Sequence, residues 1–262
     1  DHIGDQKLKA LGAGSCANSG RAPSGPHSNT AEVAAAKNAV IAMTSDMGSF
    51  IARKVQAIRG KPVGVCPQTS GATTVPVEYP CRSNTHLGGV WTLKAPDAER
   101  GVEITIVYAS HANNVPLALL SEAHRAQHAA DNTSIVLGPP TGYVVKFSNG
   151  LVAYLSGDTG VHTEMRSIVR DYHKANLAVL NLGSSAGDVN ASAHAMNELV
   201  RPAAVILTHP NEAVTEGGKL KPGSRTASVI KVLKRPTPHL AIRGRTMEFV
   251  GRPPLLPRRN QV

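Results

Sequence analysis

Between residues 141 and 209 the apolar pattern changes period. The runs YVVKF and LVAYL flank Ser148-Asn149-Gly150, and Asn-Gly is the favoured chemistry of a tight hairpin turn, so 142–147 and 151–156 are expected to pair antiparallel. After the hairpin, helical stretches at 161–174, 190–200 and 224–234 alternate with apolar runs at 177–183, 203–209 and 239–244. A helix between two strands is a crossover, and crossovers join parallel neighbours, whereas the hairpin joins antiparallel ones. A chain with both patterns is committed to a layered α/β architecture with a mixed sheet. The part before residue 141 is richer in strands. Strands are expected at 38–45, 89–95, 101–110 and 134–138, and helices at 31–38 behind Thr30, at 47–58 up to Gly60, and at 116–130. In 101–110, Val102, Ile104, Ile106 and Tyr108 share one face of the strand.

The 262 residues suffice for one large domain or two small ones. Residues 1–251 are read as that domain, with loop insertions at 11–37 and 61–86, followed by a basic tail at 252–262. Aromatic residues make up 3% of the chain, so aliphatic side chains must build the core, and a base-stacking surface for single-stranded nucleic acid is disfavoured. No apolar run reaches the roughly 18 residues needed to span a bilayer. The net charge of +10 is concentrated at the C-terminal end: eleven basic residues and one acid, Glu248, lie in 217–262. Such an end suits an anionic substrate, nucleic acid or an anionic surface, or is simply a solvated face. Three cysteines are too few for a zinc ribbon. Cys66 and Cys81 bracket a Pro/Thr/Ser-rich loop, where they either form a disulfide, implying an oxidising compartment, or remain thiols; Cys16 is left over. On this basis export is slightly favoured over a cytoplasmic location.

Several polar residues stand where an apolar run ends. His111 follows strand 101–110, Asp158 follows 151–156 in SGDTG, and His209 closes 203–208 in ILTHP, while Asp1 and His2 open the chain. Strand ends are where open α/β sheets place their sites, and imidazole with carboxylate is the ligand set of zinc and similar divalent ions. One histidine at a strand end is usually structural; three histidines and two aspartates in that position point to a metal.

These residues resemble a family. Asp1-His2-Ile3-Gly4-Asp5 is similar to the second half of the HxHxDH loop of metallo-β-lactamase-fold hydrolases. GYVVKFSNGLVAYLSGDTGVHTEM resembles that family's hairpin leading into its bridging aspartate, and AVILTHPNEAVTEGG its last metal-binding histidine. The resemblance implies a four-layer αββα sandwich whose N-terminal strands, with the first two histidines of the motif, would precede residue 1. It implies two divalent ions, zinc first and manganese or iron as alternatives. Asp1, His2 and His209 would hold the second ion, His111 would belong to the first, and Asp158 would bridge both. The implied reaction is hydrolysis of an ester, lactone, amide or phosphodiester by a metal-bound hydroxide, oriented by Asp1 and Asp158.

Around this set, His162 is a candidate proton donor or substrate contact, or a partly exposed helix residue. Lys219, Lys221 and Arg225, on the Gly-rich stretch after His209, could pair with a substrate anion or form a solvated loop, and Tyr143 and Arg245 are weaker pocket candidates. His124 and His128 have metal-compatible spacing on a helix but no third ligand nearby, which favours an ordinary polar face. Trp91 is expected in the core or on a sheet surface. The expected partner is a small, possibly anionic molecule. A nucleic-acid phosphodiesterase is the alternative that the basic end permits, and a binding module without the first metal is the non-enzymatic one.

Overall fold

The computed structural model describes residues 29–115, 117, 120–183, 188–242 and 245–251. Asp1 and His2, with Cys16, most of the 11–37 insertion and the 252–262 tail, lie outside the described residues. The described chain forms two compact units, 29–99 with 112–139, and 100–111 with 140–251. Among the described residues no helix is long and apolar enough to cross a membrane.

In the first unit a helix Asn29–Lys37 packs on a longer helix Ser45–Arg59 through Ala31, Ala34, Ile51 and Val55. The second helix stops at Gly60, whose φ of 67° is the left-handed cap that glycine adopts without a Cβ penalty. Strands here are short. β1 (Val40–Ile41) and β2 (Thr73–Thr74) pair in parallel with β3 (Cys81–Arg82) and β4 (Val90–Lys94), respectively. The strand expected over 38–45 shrinks to β1 because β3 offers it only two residues of ladder. Cys66 and Cys81 are joined as a disulfide, and Trp91 is buried against it. The helix expected at 116–130 is described over Glu122–Ala130, capped by the Ser121 side chain accepting from His124 N, and it buries no residue. The expected strand 134–138 is absent: only the bridge Asn114–Val136 forms, because Gly138-Pro139-Pro140 brings two residues without an N–H to donate.

The second unit is built on one mixed sheet. Its strands are β5 (Val102–Tyr108), β6 (Thr141–Lys146), β7 (Val152–Leu155), β8 (Leu177–Asn181), β9 (Ala204–Thr208) and, after the small hairpin β10 (Thr215–Glu216) and β11 (Lys219–Leu220), β12 (Thr237–His239). The spatial order is β12-β9-β8-β7-β6-β5. β5–β6 and β6–β7 are antiparallel; β7–β8, β8–β9 and β9–β12 are parallel. The α/β class and mixed sheet expected from the sequence are thus present. The Asn149-Gly150 turn closes β6 and β7, with Gly150 at φ 85° and Phe147 N donating to Leu151 O.

Alternation along the strands divides their residues between two clusters. Tyr154, Ala178, Leu180, Val205 and Leu207 pack with Met165, Val169, Met196 and Val200 of the helices Met165–Tyr172 and Ala195–Val200. Ala153, Leu177 and Ala204 pack in a separate cluster with Phe249. Both helices wind with π-type bonding, the second continuing an α-helix Val189–His194. In β5 the one-face reading is incomplete, because Thr105, Ile106 and Val107 are all buried, so both faces are covered at mid-strand. The last strand is Thr237–His239 rather than 239–244. Its Pro238 is tolerated because β12 is the outermost strand on that side of the sheet.

Candidate functional site

Sheet direction explains why distant residues meet. β5 and β7 are each antiparallel to β6 and therefore run the same way, and β9 follows β7 through two parallel steps. The C-terminal ends of β5, β7 and β9 thus lie along one edge. His111 stands three residues beyond Tyr108, Asp158 three beyond Leu155, and His209 one beyond Thr208.

They converge on one oxygen. His111 Nε2 lies 3.5 Å and His209 Nε2 3.7 Å from Asp158 Oδ2. The Asp158 side chain is only 9% exposed. Two atoms each about 2.1 Å from a tetrahedral ion are about 3.4 Å apart, so both separations suit donors that share an ion. They are long for direct hydrogen bonds. Among the described residues no group of three or more His, Cys, Asp or Glu is placed so as to hold one metal ion together. The histidines are instead set pairwise against the aspartate.

The backbone around these residues is tightly braced. Ser110 N donates to Thr159 Oγ1 at 2.8 Å, and Gly160 N donates to Ser110 O at 2.8 Å, which ties the β5 exit to the β7 exit on either side of His111 and Asp158. Ser156 Oγ accepts from Asn181 N and donates to Gly157 O, linking the β7 exit to β8. Gly157 has φ 62°, and a Cβ there would sit 2.6 Å from Thr141 O. His209 has φ 50°, a conformation sparsely populated by residues with a side chain and concentrated at functional sites. Its imidazole lies over Gly183, where a Cβ would meet Cδ2 at 2.6 Å and Nε2 at 2.9 Å. Leu182 N donates to Thr208 O, and Arg225 Nη1 donates to Leu182 O, so the segment under the imidazole is fixed from both sides.

His162 stacks edge-on against Tyr108, with ring centroids 5.3 Å apart. Both of its ring nitrogens are buried without a hydrogen-bond partner among the described residues. Burial holds its pKa below the usual histidine range, opposed by Glu164, so the ring is neutral near pH 7. Tyr143 is half-buried on β6, and burial pushes its phenol pKa up. Lys219 lies on β11 with Lys221 just after it, Arg225 opens the helix Arg225–Val232 behind the Ser224 cap, and Arg245 is exposed. His124 and His128 lie on the helix that buries nothing, and His128 Nδ1 is 2.8 Å from Thr133 Oγ1. Sequence reasoning missed Gly183, Thr159, Ser156 and Asn181. A glycine directly after an apolar strand is a cue to close approach of another group, so Gly183 carried a readable signal.

No family model matches the chain. By sequence it is a relative of proteins called UPF0173 metal-dependent hydrolases, which bears out the resemblance read from its motifs. It is 30% identical over 111 residues to one from Polaromonas sp. (strain JS666 / ATCC BAA-500), covering 42% of this chain and 37% of that protein. It is 34% identical over 67 residues to one from Herpetosiphon aurantiacus, covering 25% and 27%, and 29% identical over 116 residues to one from Cupriavidus taiwanensis, covering 44% and 37%. The matches span less than two fifths of each relative's length. Among solved structures, Igni18, a metallo hydrolase from Ignicoccus hospitalis, aligns with a TM-score of 0.44 at 18% identity over 80% of this chain and 78% of its own. The isothiocyanate hydrolase from Delia radicum gut bacteria aligns at 0.45 and 14% over 82% and 69%.

Proposed function

We propose that the strand-end cluster is the reaction centre of a metal-dependent hydrolase acting on an ester, lactone, amide or phosphodiester. The observation that carries this reading is the single Asp158 oxygen shared by two imidazole nitrogens, with similarity to metal-dependent hydrolases in support. The donors fit a divalent ion in chemistry and in spacing. Their pairwise arrangement supports a reading with two ions, zinc ahead of manganese or iron, which His111, His209 and Asp158 would hold. Asp1 and His2 are assigned to the second ion on the motif resemblance alone. A bound divalent ion supplies Lewis-acid polarisation of the scissile group and eases deprotonation of the attacking water.

The chain's own residues do the rest. Asp158, buried between the imidazoles, holds negative charge where cations are to be collected. Neutral His162 provides a proton-accepting nitrogen on the segment leaving Asp158. Lys219 and Lys221, on and beside the small hairpin after His209, are the cations we assign to an anionic substrate group. The basic C-terminal end permits a nucleic-acid phosphodiesterase as the second reading of the substrate. The Cys66–Cys81 disulfide supports export to an oxidising compartment.

The test is elemental analysis of the metal-to-chain ratio, in wild type and in Asp158→Asn, alongside a panel of ester, lactone, amide and phosphodiester substrates. Close to two ions per chain, lost together with hydrolysis in Asp158→Asn, is expected. A ratio near zero after metal supplementation, or a ratio indifferent to Asp158→Asn, would overturn the reading. Metal without hydrolysis of any panel member would point to the binding-module alternative.

A further inference from the structure

The first unit contains a cavity of about 660 Å³, inside the range occupied by small-molecule sites. It is built largely from the 61–86 segment and uses none of the strand-end residues described above. It is an open groove whose apolar lining includes Val65, Pro67 and Pro76, all exposed, and Val77, half-buried. Two cations line it. Lys61 Nζ lies 5.3 Å and Arg59 Cζ 5.9 Å from the centroid of the same ring, that of Tyr79, which is 50% exposed. Arg59 is held in place by Nη1 donating to Ala35 O at 2.8 Å and to Asn38 Oδ1 at 2.6 Å. Among the described residues no carboxylate pairs with Lys61, and Glu78 is the single acid lining the cavity.

The cavity is also preformed. The Cys66–Cys81 disulfide clamps the middle of the segment into a closed loop. Cys66 N donates to Arg82 O, Arg82 N donates to Gly64 O, and Thr69 and Ala72 exchange hydrogen bonds at the tip. Prolines at 62, 67, 76 and 80 remove further backbone freedom. A rigid site loses little conformational freedom on binding. A rigid, open, largely apolar groove with two cations beside one exposed aromatic ring matches a ligand with an apolar body and a single acidic group at one end.

We propose that this cavity is a binding site for a small amphipathic organic anion, an aromatic or aliphatic carboxylate or sulfonate, whose acid group pairs with Lys61 and Arg59 while its apolar body fills the space between Val65 and Val77. The site is separate from the strand-end cluster, and its test does not depend on metal or on hydrolysis.

The probe is 1-anilinonaphthalene-8-sulfonate, followed by fluorescence and by titration calorimetry on the full chain. One probe per chain is expected, with affinity falling as salt rises. Lys61→Met keeps the apolar stem and removes the charge; it should weaken the probe about tenfold, the loss of one charge-assisted contact. Its binding of uncharged N-phenyl-1-naphthylamine should be unchanged. Val65→Trp fills the chamber and should abolish binding of both probes while the circular dichroism stays native. Absence of one-per-chain binding in wild type overturns the proposal, as does an unchanged sulfonate affinity in Lys61→Met. Unchanged binding in a folded Val65→Trp overturns it as well.

Discussion

Gly183 carries no functional group, yet the arrangement of His209 rests on it. A methyl added in Gly183→Ala would lie 2.6 Å from His209 Cδ2 and 2.9 Å from Cγ and Nε2. Carbon atoms in good contact are about 3.5–4.0 Å apart, so the imidazole or the 183 backbone must move by about 1 Å. Neither moves freely. The imidazole side chain is 16% exposed and belongs to a residue already at φ 50°, and Leu182 is bonded to both Thr208 and Arg225. Overpacking of this kind costs about 1–3 kcal/mol, which for a chain of this size lowers the melting temperature by roughly 2–4 °C per kcal/mol. The second consequence is specific to the proposed role. Displacing a ligand by disturbing its support weakens metal binding by about 10–100-fold. The assay is a zinc titration against a chelating indicator, paired with thermal melts, with Gly64→Ala as the control because a methyl there meets nothing within 4 Å. Zinc affinity at wild-type strength in Gly183→Ala, with an unchanged melt, would refute the placement of His209 over Gly183. A lowered melt with full zinc affinity would keep the packing and remove His209 from the metal site.

Three further outcomes are expected. Thr159→Val leaves the Ser110 N–H without its acceptor next to a buried side chain and should cost about 1–3 kcal/mol in urea unfolding, with Thr159→Ser restoring most of it. The paired replacement Cys66→Ser with Cys81→Ser opens a loop of sequence separation 15, and should remove about 3 kcal/mol from the first unit, read as a lower melt that reductant no longer shifts. The pKa of His173 is lowered chiefly by burial and then by Lys146, against an opposing Glu103, and that of His239 is lowered by burial. A folded pKa below the ordinary 6.5 means that the unfolded chain takes up protons first. Stability is therefore full above about pH 6.5 and declines as the pH falls from there toward the folded values. Urea midpoints measured from pH 7.5 downward should show that decline, and His173→Gln should flatten it.

What the sequence made legible, and what it did not, follows one physical division. A polar residue that breaks off an apolar run is visible without any knowledge of the fold, which is why His111, Asp158 and His209 stood out. The Asn149-Gly150 turn is equally local, so the antiparallel pair it joins was visible too. Features set by a partner were not. The 38–45 run shrinks because β3 is two residues long, and the 134–138 run forms only the Asn114–Val136 bridge ahead of its prolines. Pro238 sits inside a strand that the edge position permits. The relation among the three donors was legible only through family resemblance, since it depends on β5, β7 and β9 running the same way, a property of pairing rather than of any residue. The support beneath them is hidden more deeply. At Gly142 a methyl would strike Leu155 O at 2.8 Å, at Gly157 Thr141 O at 2.6 Å, and at Gly183 the His209 ring. Each glycine matters for the atom it lacks, and each lies beside a strand exit that presents a donor. A centre assembled from strand ends thus places its narrowest tolerances on residues with no chemistry of their own, and an added methyl at Gly183 tests it as sharply as removal of a donor.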